Sequence, residues 1–264
     1  MRGTSTNASS ESSYHGGIAS KAVPTSLAVV LNYSGIKCAC MRRARLQEHR
    51  SALHSGAMLS EAGELLGRHV RLEPLELRHA EGLAAASAVD PSLYRWSPVP
   101  QGELEAAQYV ETALAWGEAG TALAFATVRV SDGIVIGSTR FFDIEHWPWP
   151  QGHTLHGREA PDVCEIGYTW LTRDAIRTPA NTEAKLLMLT HAFETWKVLR
   201  VCLHTDVRNQ RSRNAIERIG GHFEGILRAH RMAADSIPRD SARYSIIASE
   251  WPAAKQRLLA KLER

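Results

Sequence analysis

Nowhere in these 264 residues do about 20 apolar side chains follow one another, the length a membrane-spanning helix requires. The longest candidate, Ser26 to Asn32, is far shorter. A soluble protein with no membrane partner is therefore expected. Cysteine is scarce, with only Cys38, Cys40, Cys164 and Cys202. Nothing in their placement suggests a disulfide framework, and a cytoplasmic, reducing location fits. Cys38-Ala-Cys40 lacks the two-residue spacer of a usual metal half-site, and no matching Cys/His pair follows at zinc-finger distance, so no metal is expected. Cys164 and Cys202 lie in apolar strand-like runs, where a buried free thiol is the ordinary reading. Internal repeats are absent too.

A concentrated charge of one sign is also missing from most of the chain. The formal balance is +3, but residues 1–57 hold seven Arg/Lys against two Glu, which leaves 24 basic and 26 acidic residues beyond them. A nucleic-acid-binding domain would carry a basic face within its fold, so nucleic acid is not an expected partner.

The chain divides by composition. Residues 1–57 open with a Ser/Thr/Asn-rich run and include the basic stretch Met41-Arg42-Arg43-Ala44-Arg45. Such a segment buries too little apolar surface to offset chain entropy. It reads as a disordered tail, as an over-long N-terminus with initiation near Met58, or as a targeting peptide without a clean apolar region. A domain over residues 66–264 follows. His69 to Leu75 alternates like a strand. Leu77 to Ala88 and Glu103 to Ala119 are helical in composition. Ala122 to Val130 and Ile134 to Phe142 read as strands around the hairpin signal Ser131-Asp132-Gly133. After a Gly/Pro-rich loop over 145–162, Val163 to Leu171 is a strand. The pattern then predicts a helix from Asn181 to about Val198, a strand Arg200 to Thr205, and a helix Arg211 to Ile219. Strands His222 to Arg228 and Ala242 to Ser249 come next, and Pro252 opens a terminal helix. Strand-rich hairpins with one strand–helix–strand unit imply an α/β or α+β domain.

Two segments carry chemistry. In the first, Glu165-Ile166-Gly167-Tyr168-Thr169-Trp170-Leu171 runs into a loop and a helix opening at Asn181, capped by Asn181 or Thr182. Unpaired N–H groups and the helix dipole at such a start attract anions, and Arg177 adds a cation. A routine strand-to-helix connection is the plainer reading. In the second, Thr205 to Gly220 leads from a strand into a helix with Asn209 and Ser212 at its start. Those two residues either cap the helix or hydrogen-bond a ligand.

Together these residues resemble the GNAT superfamily, in particular its RimJ/RimL-type acetyltransferases, over about residues 66–252. His69-Val70-Arg71-Leu72-Glu73-Pro74-Leu75 looks like the family's opening strand and Glu165-Ile166-Gly167-Tyr168 like its fourth. Asn181-Thr182-Glu183-Ala184-Lys185 looks like its pyrophosphate-binding element. Asn209-Gln210-Arg211-Ser212, with Gly220 and Phe223-Glu224-Gly225, looks like its Asn-x-x-Ser segment and final strands. The resemblance implies a mixed, mostly antiparallel central sheet flanked by helices, with acetyl-CoA as cosubstrate lying between splayed strands through Glu165 and Cys202. It implies a primary-amine acceptor, a protein N-terminus or a small molecule, that attacks the thioester directly. A homodimer is left open.

On that resemblance Glu165 is the base, Ser212 protonates the leaving thiol, and a backbone N–H of the splayed strand serves the oxyanion. Arg177, Thr178, Ala180, Asn181, Thr182, Asn209 and Ser212 bind the cofactor. One departure stands out: Pro179 occupies a usual glycine position and has no N–H to donate. It favours the alternative of a non-catalytic CoA-binding regulatory domain. Trp96 and Tyr94 fall where the family places acceptor contacts. His146, His153 and His156 read as a solvated loop, Trp147 and Trp149 as its anchors or as acceptor contacts, and His191 as a packed histidine.

Overall fold

Ser131-Asp132-Gly133 turns the chain as its composition demands. Gly133 takes the left-handed φ of 73° that a side chain resists, and Asp132 accepts the N–H of Ile134 at 3.1 Å. The turn joins strands β3 (Ala122–Arg129) and β4 (Val135–Glu145). The computed structural model describes residues 63–233 and 236–263. The expectations for residues 1–57, Cys38 and Cys40 included, fall outside them.

Among the described residues the other strands are β1 (Leu65–Leu66), β2 (Val70–Pro74), β5 (Val163–Leu171), β6 (Arg200–Asp206), β7 (His222–Met232) and β8 (Pro238–Ile247). They form one sheet in the order β1-β2-β3-β4-β5-β6-β8-β7. Every neighbouring pair is antiparallel except β5 with β6. The helices are α1 (Ala80–Ala88), α2 (Gly102–Glu118), α3 (Pro179–Thr190), α4 (Gln210–Arg218) and α5 (Trp251–Leu262). Mixed α/β with an antiparallel-dominated sheet is the expected class.

Alternation along β3 shows how the layers arise. Ala124, Ala126 and Val128 pack with Leu83, Val110 and Ala113 of α1 and α2, whereas Phe125 points to the other face with Met188 and Leu189 of α3 and Leu258 of α5. The second face holds the larger core, which draws on β2 through β6 and β8. Cys164 and Cys202 are buried free thiols.

Three expectations are corrected. The long helix opens at Pro179, not Asn181, because the Thr178 hydroxyl accepts the Ala180 N–H at 3.2 Å and proline suits the first helical position. It also leaves α geometry at Thr190, continuing as a π-helical turn His191–Thr195. The final hairpin is longer than its apolar runs suggest: pairing continues past two bulges to Met232 opposite Pro238, through residues too polar to read as strand.

Candidate active site

Strands β5 and β6 pair only at Val163–Arg200, Cys164–Val201 and Glu165–Cys202. Beyond that point each stays hydrogen-bonded to its other neighbour, β5 to β4 and β6 to β8, and the two diverge. A cleft of about 450 Å³ opens between them, lined by Glu165 to Leu171 on one side and Leu203 to Thr205 on the other. The facing backbone groups of a strand pulled from its partner are unused donors and acceptors, ready for an extended ligand.

A bulge shapes the β5 side. Ser138 faces Trp170 while Arg140 faces Gly167, so β5 has one residue more than β4 between those rungs. Tyr168 absorbs it with a φ of 51°, an uncommon conformation for a non-glycine residue. The extra residue also switches faces: Cys164 and Ile166 belong to the α3 side, whereas Trp170 packs with α2. Gly167 beside it cannot be larger, since a Cβ there would lie 2.7 Å from the Phe142 ring. The Tyr168 ring is held by Phe142 at 5.1 Å and the Arg140 guanidinium at 4.1 Å.

Because β5 and β6 run parallel, the helices they lead into both begin at the same end of the cleft. At the start of α3, Arg177 and Asn181 line the cleft. Arg177 is exposed and holds a φ of 65°. Thr178 is the cap, while Ala180 and Thr182 are buried and their side chains do not line the cleft. Pro179 sits where a helix N–H has no intrahelical acceptor in any case. At the start of α4, Asn209 is the cap, its Oδ1 accepting the Ser212 N–H at 3.1 Å. The Ser212 hydroxyl makes no hydrogen bond among the described residues, and both residues line the cleft. Arg211 and Arg218 add cations to the lining.

Glu165 stands where the strands part, its side chain 5% exposed. Val201 and Leu203 face the α3 core, so alternation turns Glu165, Cys202 and His204 to the opposite face. There His204 Nδ1 lies 2.7 Å from Glu165 Oε2, an approach too far off line to be a hydrogen bond. Arg231, reaching in from β7, donates to the same oxygen at 3.3 Å and to Asp143 at 2.5 Å. Tyr94 and Trp96 also line the cleft, with Arg208 over the Trp96 ring at 4.4 Å.

Sequence reasoning missed His204, Arg231 and Lys185. Lys185 occupies a core position of α3, and its amine donates to Thr169 at 2.6 Å and Thr139 at 2.9 Å. Burial pulls its pKa down to about 7. A lysine between Ala184 and Met188 on a buried helix face is a legible signal; the reach of β7 across the sheet is not.

Other candidates have structural places. Trp147 and Trp149 anchor their loop, giving a backbone and an indole N–H respectively to buried Asp162 at 2.7 and 2.9 Å. His153 stacks on Trp149, and His191 packs on Phe141 and Trp196. Among the described residues no cluster of three His, Cys, Asp or Glu is placed to hold a metal, and no helix is long and apolar enough to cross a membrane.

This geometry suits a long thiol ester. Parted strand edges offer free backbone groups, and two helix starts with Arg177 and Arg211 beside them open on the same cleft. Similarity points the same way. A Brucella melitensis GCN5-related N-acetyltransferase of known structure is 32% identical, covering 76% of this chain and 86% of its own, with a TM-score of 0.65. Mycobacterium smegmatis RimJ, solved with a CoA-disulfide, is 22% identical over 73% of this chain and 88% of its own, TM-score 0.60, and shares the fold. A Bacillus subtilis protein provisionally named ribosomal N-acetyltransferase YdaF is 33% identical over 91 residues, 34% of this chain; the match spans 49% of that curated relative, about half its length. Residues 69–222 match the acetyltransferase (GNAT) domain model, well over half of the sequence, and the chain belongs to the GNAT acetyltransferase family.

Proposed function

We propose that residues 66–264 form an acetyl-CoA-dependent N-acetyltransferase that acts by direct attack of a primary amine on the thioester. The observation that carries this reading is the parting of β5 from β6 with Glu165 at the point of divergence and two helix starts at the open end. The pantetheine arm lies in the parted edges, and Arg177, Asn181 and Asn209 hold its phosphate-bearing half. A lysine-like amine has a pKa of about 10.4 and must lose a proton before it attacks. Glu165 takes it. A backbone N–H at the Tyr168 bulge receives the oxyanion, and Ser212, whose hydroxyl is not the helix cap, protonates the departing sulfur.

The name of YdaF, a ribosomal N-acetyltransferase, favours a ribosomal protein as acceptor, presented from the Tyr94–Trp96 side, and a cytoplasmic setting. The competing reading, a CoA-binding domain without catalysis, rested on Pro179. Pro179 takes the first helical position, where proline is favoured for the fold, so its presence has a structural reason beside any effect on CoA.

The test is free-thiol release from acetyl-CoA across a panel of N-terminal peptides and small amines. Glu165→Gln should cut turnover about 10²–10⁴-fold, the usual contribution of a general base, with the defect shrinking as rising pH deprotonates the acceptor. An unchanged pH–rate profile in the variant would move the base elsewhere.

A further inference from the structure

Acetylation of an ammonium acceptor has a stoichiometric consequence. The N–C bond forms, the C–S bond breaks, one amine proton goes to the thiolate, and a second must leave the site: R–NH3⁺ plus the thioester yields the amide, CoA–SH and H⁺. Glu165 is nearly buried, and with thioester and amine filling the cleft it lines, a proton on it has no direct route to water.

Resting on the proposed reaction, we infer that His204 and His230 form the exit path for this proton, leading it from Glu165 to the solvent edge of β7. Three observations place it. His204 Nδ1 lies 2.7 Å from Glu165 Oε2, off line in the empty site as catalytic hydrogen bonds commonly are before substrate binds, with the His204 side chain 5% exposed. The His204 and His230 rings are neighbours, 5.0 Å apart centroid to centroid. His204 Nε2 and His230 Nδ1 are both buried without a partner, a cost that a fixed structural role would avoid by bonding them. His230 is only half-buried.

The surroundings favour passage over storage. Arg231 and Arg239 stand beside the path, with Asp143 and Asp206 as the nearby carboxylates and Arg243 opposite His204 across β8. Burial, then Arg231 and His204, hold the His230 pKa below the ordinary imidazole value. A proton arriving there is released outward.

The experiment uses His204→Gln and His230→Gln in the full chain. His204→Gln should lower kcat about 10- to 100-fold with the KM for acetyl-CoA unchanged, and added imidazole should restore part of the rate. His230→Gln should make turnover depend on buffer concentration. In parallel, ¹⁵N NMR titration of the histidines should show the His204 midpoint moving when Glu165 becomes Gln. Full activity in both variants, or losses that neither imidazole nor buffer relieves, overturns the path. So does a His204 titration indifferent to Glu165→Gln in an otherwise active protein. A wild-type chain that releases no thiol with any amine, yet keeps the Glu165–His204 coupling, removes the acetyl-transfer reading itself and the path with it.

Discussion

The amine of Lys185 lies 2.6 Å from the hydroxyl of Thr169, beneath the bulge of β5, and its bonds go to hydroxyls and a thioether rather than to a carboxylate. Burial alone brings its pKa to about 7, from an ordinary 10.5. Below pH 7 the lysine is charged in both folded and unfolded states, and the folded state bears the whole cost of burying that charge. Between about 7 and 10.5 the unfolded chain holds a proton that the folded one has shed, so stability rises with pH. Lys185→Met should therefore stabilise by on the order of 2–4 kcal/mol at pH 6–7, with the gain fading towards pH 10. Thr139 and Thr169 remain bonded to each other at 2.8 Å. Urea melts of both proteins at pH 6, 8 and 10 check this; a parallel pH dependence of the two curves would refute it.

The start of α4 separates capping from catalysis. Asn209 is the cap, so Asn209→Ala should cost about 0.5–2 kcal/mol and also weaken CoA binding. Ser212 offers only its N–H to that cap, which alanine keeps. Ser212→Ala should leave the melting temperature within a degree or two while lowering turnover. Calorimetry and thiol-release kinetics on both variants decide; an easily unfolded but fully active Ser212→Ala protein would make the hydroxyl structural.

Arg177 and Pro179 make a matched pair of tests at the start of α3. Arg177→Ala should weaken CoA binding by about 1–3 kcal/mol, the range for a charged hydrogen bond. Pro179→Gly should lower stability by roughly 0.5–1 kcal/mol through added unfolded-state freedom, yet leave CoA affinity within about twofold. Isothermal titration measures both. A marked tightening by Pro179→Gly would show that the missing N–H limits binding.

Glu183 belongs to the fold rather than the cleft. Its carboxylate accepts the backbone N–H groups of Arg68, His69 and Val70 at 2.8, 2.6 and 2.8 Å, tying α3 to the entry of β2. Glu183→Ala leaves three donors unmatched and should cost about 3 kcal/mol or more. The kinetics of whatever protein stays folded should not change.

Where a signal was local, the sequence carried it. Strand β5 was legible at both ends because an apolar run is bounded by a Gly/Pro-rich loop and by Thr172-Arg173-Asp174. The β3–β4 hairpin was legible from one turn. Glu165, Arg177, Asn181, Asn209 and Ser212 were named from two helix starts together with the family resemblance, and all five line the cleft. Thr178, Ala180 and Thr182 do not: the helix opens two residues earlier than expected, with Thr178 as its cap and Ala180 and Thr182 buried. The bulge at Tyr168 has no period to betray it. His204 meets Glu165 from β6, where it parts from β5, and Arg231 from a hairpin whose polar middle hid its length.

The parallel seam has a mechanical meaning. Three rungs of backbone weld two plates, β1 to β5 and β6 with β8 and β7, at one end of a slot. An apolar layer drawn from both plates, with α3 and α5 lying over it, keeps them from swinging. On the proposed reading, a thioester arm laid along the slot would act as a rivet, its own amides standing in for the rungs that β5 and β6 do not form. Order along the two slot edges would then depend on the bound arm. Amide hydrogens on the slot edges of β5 and β6 should exchange quickly in the empty protein and slow together when CoA is bound.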